Sequence, residues 1–273
     1  MKKIYAVYGG KLIKLITVDL DGTLFDSNSR ISNKNKQAIR DCIKGEIKVV
    51  VSTGKSIKCV DAVIRELGLV DPQIASGGTV IITPDLEILS VMKVPRKSVL
   101  NAIDLGRKNN IGFGLDTTDG TLYYESEHPD LKYIFESGEF IEKVDDIKQD
   151  NIVDNALLLT FTVNASNAFN GILENNIDAD VKIRRGGPYF LNIMSQEAGK
   201  VAGLKKILGI SGIDKDEVMA IGDNNNDLGT IKFAGLGVAM GNASEEVKLA
   251  ADYISSDNDN DGVAEAINRF IRF

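Results

Sequence analysis

The sequence predicts an α/β fold, a doubly wound parallel sheet interrupted by a second, α+β domain. Three observations carry that expectation. Short apolar runs that end in a carboxylate or hydroxyl alternate with amphipathic stretches at both ends of the chain, the sequence form of right-handed βαβ units. Between them, from about Pro84, hairpin signals replace the alternation. Finally, 273 residues allow one large domain or two modest ones, and 43% hydrophobic with 26% charged residues can bury a sizeable core.

The first element is an apolar strand from about Leu12 to Val18, ending at Asp19. Ser32 then caps a helix that sets Ala38, Ile39, Cys42 and Ile43 at helical spacing, and a second strand runs from Ile47 to Val51. After Ser52-Thr53-Gly54 comes a helix carrying Ile57, Val60, Val63, Ile64 and Leu67, stopped by Gly68. A third strand near Gln73-Ile74-Ala75 leads into Ser76-Gly77-Gly78.

In the insert, Pro95 opens a helix through Leu105, and Ile111 to Leu115 and Thr121 to Tyr124 flank an Asp119-Gly120 turn that reads as a hairpin. A polar helical stretch, a strand at 156–163, a helix near Phe169 to Leu173 and strands at Val181 to Ile183 and Tyr189 to Met194 complete it. Alternation then resumes. A helix from Ala198 to Leu208, a strand from Val218 to Ile221 entering Gly222-Asp223, a helix to Phe233, a strand from Leu236 to Ala239 and a last helix from Gly262 are expected. The limits so drawn are core 1–84, insert 85–190 and core 191–273.

Composition excludes several classes of function. With 32 Lys+Arg against 39 Asp+Glu, a net charge of −7, the chain lacks the basic excess that phosphate neutralisation requires, so nucleic acid is not an expected partner. No apolar run approaches the roughly 18–20 residues of a membrane helix. Met1 to Gly10 has too few apolar residues for a secretory signal, and a cytoplasmic monomer or weak homo-oligomer is expected. Cys42 and Cys59 form no CxxC pair and read as reduced structural thiols. His128 is the only histidine, so a multi-histidine metal site is not available and a Ser-His-Asp relay would have to use His128 itself, which sits before Pro129 in a polar stretch. Chemistry falls to carboxylates, lysines and hydroxyls.

Four places offer it, at strand ends or helix starts, where ligands bind in such sheets. In Asp19-Leu20-Asp21-Gly22-Thr23 two carboxylates lie at i and i+2 with a glycine for the turn. Ser52-Thr53-Gly54-Lys55 brings a hydroxyl to a helix N-terminus, which favours an anion. It is not a P-loop, because Val49 stands where that motif needs glycine. Lys200 lies near the start of a helix. Gly222-Asp223-Asn224-Asn225-Asn226-Asp227 ends a strand with oxygen donors that suit Mg²⁺ better than zinc.

In that order, Asp19-x-Asp21-Gly22-Thr23, Thr53, Lys200 and Gly222-Asp223-x-x-Asn226-Asp227 resemble the four motifs of the haloacid dehalogenase (HAD) superfamily of phosphohydrolases. The insert is similar in position to the α/β cap of the Cof-like branch, and the match runs from about residue 13 to 273. The resemblance implies a Rossmann-like core, Asp19 as nucleophile and Asp21 as general acid and then base. It implies Mg²⁺ held by Asp19, the Asp21 carbonyl and Asp223, with Asp227 supporting the metal or Lys200. Thr53, the Gly54 amide and Lys200 would donate to phosphoryl oxygens, with Asn226 at the rim. A cation is physically required there, since a dianionic phosphate must otherwise approach a carboxylate.

Three positions depart from the family pattern. Lys55 stands where Arg is usual and lacks its bidentate fork, Gly77 stands where Asn is usual, and Asn192 where an acidic residue is common. The implied substrate is a small phosphorylated metabolite, with sugar phosphates the leading class. A phosphomutase and a non-enzymatic binding protein on the same scaffold are the alternatives. Arg184-Arg185 is a candidate second anion contact. Asp257-x-Asp259-x-Asp261-Gly262 imitates a calcium loop, but position 12 is Asn268 rather than Glu, and a turn capping the last helix is the expected reading. The net charge of −7 resides wholly within residues 85–190, leaving a neutral core that conceals four site carboxylates.

Overall fold

The structure, a computed structural model, describes residues 5–8, 11–136, 138–163, 168–186 and 189–272. Strands β1 (Tyr5–Tyr8) and β2 (Lys11–Leu12) pair antiparallel and precede the first core strand, β3 (Leu15–Val18). The run expected over 12–18 is thus two strands. Helix α1 (Asn33–Lys44) starts where Ser32 accepts a hydrogen bond from the Asn35 amide at 3.1 Å. Strand β4 (Lys48–Val51) and helix α2 (Ile57–Leu67) follow, the latter ended by Gly68 at φ 70°, a conformation that glycine adopts without strain.

Strand β5 (Gln73–Ala75) meets the β4 segment through a parallel bridge between Ser52 and Ile74 and through the Gln73 side chain, which accepts from the Val51 amide and donates to the Val49 carbonyl, then turns back as an antiparallel sheet with β6 (Val80–Ile82) and β7 (Ile88–Val91). This hairpin lies across the expected boundary at 84–85. Pro84 sits in its turn, and its composition imitates a linker.

The insert contains α3 (Arg96–Lys108), β8 (Phe113–Thr117), β9 (Leu122–Tyr124), α4 (Lys132–Phe135), β10 (Ile141–Lys143), α5 (Asp150–Val153), β11 (Ala156–Thr162), α6 (Ala168–Asn176), β12 (Val181–Arg185) and β13 (Phe190–Ser195). Its six-stranded sheet has the order β10-β9-β8-β11-β13-β12. Because β13 pairs with β11 and β12, the expected limit at 190–191 cuts a strand; β13 belongs to the sheet of the insert. Side chains alternate across these strands. Phe113, Leu115, Leu159, Phe161, Leu191 and Ile193 pack with α3 and α6 on one face, leaving Asp116, Leu158, Thr160 and Asn192 on the other.

The chain then returns to the core through α7 (Lys200–Ser211), β14 (Val218–Gly222), α8 (Leu228–Phe233), β15 (Leu236–Ala239), α9 (Glu245–Ala250), β16 (Tyr253–Ile254), α10 (Gly262–Phe270) and β17 (Ile271–Arg272). The core sheet runs β16-β15-β14-β3-β4, all parallel. Along β3, Ile16 and Val18 pack with α1, α2 and α10, while Leu15 packs with α7, so helices cover both faces. The fold is therefore a doubly wound α/β core with an inserted α+β cap. Among the described residues no helix is long and apolar enough to cross a membrane.

The aspartates of the 257–261 turn are engaged by protein groups. Asp257 accepts from the Asp259 amide, Asp259 from Ser27, and Asp261 from Ser32 and Lys34. They tie the start of α10 to α1 and its preceding loop; Asp261 is the N-cap residue of α10, its side chain bonded to Ser32 and Lys34 and not to the helix amides.

Candidate active site

Strand register assembles the site. Val18 is level with Ile221 on one side and Val51 on the other, so the chain leaves the sheet at Asp19, Gly222 and Ser52 side by side. Strand β3 lies between strands reached in opposite directions, the point where such sheets open a crevice.

After β3 the chain makes a tight turn over Leu20–Leu24, with Gly22 at φ 75°. A Cβ on Gly22 would lie 2.5 Å from Asp223 Oδ2, so the close approach of this turn to Asp223 requires glycine. Thr23 Oγ1 donates to Asp223 Oδ1 at 2.7 Å, and Asn242 Nδ2 donates to the Gly22 carbonyl at 2.8 Å.

Lys200 opens α7 and is 5% exposed. Its Nζ lies 2.8 Å from Asp19 Oδ1 and 2.7 Å from Asp227 Oδ1. The helix start is set by backbone contact, since a Cβ on Gly78 would fall 2.2 Å from the Gly199 carbonyl carbon. Asp227 is fixed from its other side, where its Oδ2 accepts from the Asp223 and Asn224 amides at 3.3 and 3.2 Å.

One ammonium therefore bridges two carboxylates, with that of Asp223 beside them. Burial alone would lower Lys200, but the charges of Asp19 and Asp227 outweigh it and hold the amine protonated. Burial, reinforced by Asp19, pushes Asp223 up to about 6 against the pull of the Thr23 hydrogen bond. Asp227 is raised too, by burial and then by Asp19, with Lys200 opposing.

Carboxylate oxygens of Asp19, Asp223 and Asp227 lie within 4.8 Å of one another. This all-oxygen set, with charge in excess of its one lysine, fits a hard divalent cation such as Mg²⁺. Both oxygens of Asp227 are already engaged by protein donors, so Asp19 and Asp223 are the better placed to hold the ion, with Asp227 holding Lys200. The Asp21 side chain stands outside the cluster. It is 58% exposed, with Oδ1 3.3 Å from Lys55 Nζ. Desolvation raises it, Lys55 opposes, and Asp19 adds to the rise.

Asp19, Asp21, Thr53, Gly54 and Asn226 line a cavity of about 450 Å³. Thr53 is buried at the end of β4, its Oγ1 accepting from the Lys55 amide at 3.2 Å. Gly54 is exposed, and a side chain there would meet nothing within 4 Å. Ser29, Lys55 and Asn224 of the core also line it, and the cap supplies the facing wall, including Asp116, Tyr133, Glu139, Tyr189 and Asn192. Several contacts tie the cap to the core, Cys59 Sγ to Glu139 at 3.2 Å and Lys58 over the Phe140 ring among them. Glu139 accepts from the Ser56 amide at 3.3 Å, Lys58 Nζ donates to Thr121 Oγ1 at 2.6 Å, and Ser76 Oγ donates to Asp116 Oδ2.

Arg184 and Arg185 are exposed and line no part of the cavity. His128 accepts from the Asp130 amide at 3.2 Å as a local cap, away from the cavity. Sequence reasoning assigned no part to Asn242, to Lys55 as partner of Asp21, or to Asp116 and Glu139 of the cap. Asn242 follows a strand end in an Asn-Ala-Ser turn, a signal that could have been read; Asp116 and Glu139 carried none.

A family model described as haloacid dehalogenase-like hydrolase matches residues 16–267. Over 261 residues the chain is 31% identical to the 5-amino-6-(5-phospho-D-ribitylamino)uracil phosphatase YcsE of Bacillus subtilis, covering 95% of this chain and 96% of that protein. It is 26% identical to the phosphatase YwpJ of the same organism, over 95% of this chain and all of the other. A solved haloacid dehalogenase-like hydrolase from Bacteroides thetaiotaomicron shares 31% identity at a TM-score of 0.84, covering 94% of this chain and 99% of that one. The chain belongs to the haloacid dehalogenase-like hydrolase family. Within it, the chain is an enzyme of the phosphatase type, a phosphoric monoester hydrolase.

Proposed function

We propose that the enzyme is a Mg²⁺-dependent phosphatase of small phosphorylated metabolites, acting through an aspartyl phosphate on Asp19. The observation that carries the reading is the buried Lys200 bridging Asp19 and Asp227 at 2.8 and 2.7 Å beside Asp223, where three strands end. Lys200 fixes the Asp19 carboxylate in one orientation and offsets part of its charge. An Asp19 oxygen attacks phosphorus as the ester P–O bond breaks, and Asp21 gives its proton to the departing alkoxide. Asp21 then takes a proton from water, whose oxygen forms a new bond to phosphorus as the Asp19–phosphorus bond breaks. The raised Asp21 suits a group that must first hold a proton. Thr53, the Gly54 amide and Lys200 donate to the phosphoryl oxygens. Asp19 and Asp223 would hold Mg²⁺, which when bound would supply charge neutralisation for the incoming phosphate.

The relative at 31% identity is named for a phosphate monoester on a ribityl chain, and we infer the same broad class here, phosphate esters of sugars and related polyhydroxylated metabolites. A screen of phosphorylated metabolites with Mg²⁺, scored by free phosphate, tests the class. Asp19→Asn tests the mechanism. Turnover is expected to fall by on the order of 10³-fold or more with the thermal midpoint preserved, and a fully active variant refutes it.

A further inference from the structure

We propose that Asp116 and Asn192 of the cap form a subsite for the hydroxyl groups of the leaving alcohol, and that the substrate is the phosphate ester of a hydroxyl-bearing chain several carbons long. This rests on the phosphatase reading above and names the part of the substrate that the cap recognises.

The strand ladder builds the subsite. Asp116 on β8 is level with Leu158 on β11, and Thr160 on β11 is level with Asn192 on β13. All four side chains lie on the sheet face opposite the cap core, and all four line the cavity. Asp116 is 4% exposed. Its Oδ2 accepts from Ser76 Oγ, while its Oδ1, although buried, has no hydrogen-bond partner among the described residues. Asn192 Oδ1 is in the same condition. Two buried acceptors left unmatched in one cavity are costly to folding and are kept where a ligand supplies the donors. Alcohol hydroxyls are donors of the right kind.

The geometry also narrows the ligand. Asp116 and Asn192 flank β11, two strand spacings or on the order of 10 Å apart, so a single vicinal diol does not reach both. Ser76 is held at φ 48° with its amide donating to the Lys55 carbonyl at 2.8 Å, which makes the support of Asp116 part of the core. Gly186 leaves room beside Asn192, since a Cβ there would lie 2.7 Å from its Nδ2. Tyr133 and Tyr189, stacked with ring centroids 4.0 Å apart, form a flat wall of the same cavity. Burial pushes Asp116 up to about 8, with Ser76 opposing and Glu139 adding to the rise, so near pH 7 it is mostly a neutral carboxyl that can give and accept a hydrogen bond without repelling phosphate.

The test compares kcat/KM for ribitol 5-phosphate, glycerol 3-phosphate and 4-nitrophenyl phosphate. In the wild type the pentitol ester is expected to be preferred over both others. Asp116→Ala and Asn192→Ala should each lower the ribitol-to-nitrophenyl ratio by about 10- to 100-fold, and Asp116→Asn, which mimics the neutral carboxyl, should restore it to within a few-fold. A ratio unchanged in both alanine variants overturns the subsite, as does a wild type that cleaves the nitrophenyl ester but neither alcohol ester. Failure to cleave any of the three with Mg²⁺ overturns the phosphatase mechanism and the subsite with it. If Asp116→Ala does not fold, Asn192→Ala decides.

Discussion

Lys200 illustrates how little a single residue discloses out of context. In Glu197-Ala198-Gly199-Lys200 it is indistinguishable from a solvated surface lysine, yet it is 5% exposed and bridges two aspartates from distant parts of the chain. Replacing it with Met leaves buried carboxylates uncompensated, and a loss of roughly 3–5 kcal/mol is expected in denaturant titrations without Mg²⁺. Asp116 carries a second prediction at this scale. Its pKa in the folded chain, about 8, exceeds the ordinary carboxyl value, so its protonated form contributes stability that is complete below about pH 4 and is lost as pH rises through 8. Asp116→Asn, which cannot ionise, should therefore gain on the wild type between about pH 5 and 8, by up to a few kcal/mol. Parallel stability curves for the two proteins would contradict this.

At the scale of elements, local signals sufficed where a helix or strand is specified by its own residues. The Ser32 cap, the Gly68 stop and the apolar runs of β4, β14 and β15 lie where the pattern put them. The β6–β7 hairpin escaped because β7 exposes Ile88 and Leu89 and Pro84 occupies its turn, so neither alternation nor a breaker of known meaning marked it. The close pass of Gly78 and Gly199 was also invisible, being a contact between residues 121 positions apart. Gly78→Ala puts a Cβ 2.2 Å from that backbone at φ 88°, and it should cost at least ~1–3 kcal/mol while moving Lys200 enough to lower kcat by 10-fold or more. Wild-type kcat in that variant would show that the start of α7 is positioned by something else.

Across the whole molecule, the charge that the composition assigned to the chain is divided between its parts. Most of the net −7 lies in the insert, Asp85 and Glu87 falling instead in the β6–β7 hairpin, and the nearly neutral core concentrates carboxylates at Asp19, Asp21, Asp223 and Asp227. Chelation is expected to abolish turnover and lower the thermal midpoint, because removing a cation from the Asp19–Asp223–Asp227 cluster leaves mutual repulsion that Lys200 alone does not offset. Asp223→Asn should weaken that response to Mg²⁺ in a thermal melt; a midpoint indifferent to metal in the wild type would contradict the assignment.

The sequence by itself determined the α/β class and the inserted domain, because hydrophobic period and caps are local and survive in one dimension; Asp19, Asp21, Thr53, Lys200 and Asp223 were singled out by the resemblance of their order to the family's motifs. Only the tertiary structure decided that β13 belongs to the cap, that Asp227 holds Lys200 at 2.7 Å, and that Asp116 and Asn192 share a wall with the core site. Those depend on strand register and on approach between distant segments, and register is set by side-chain packing across the sheet rather than by any residue's neighbours in the chain.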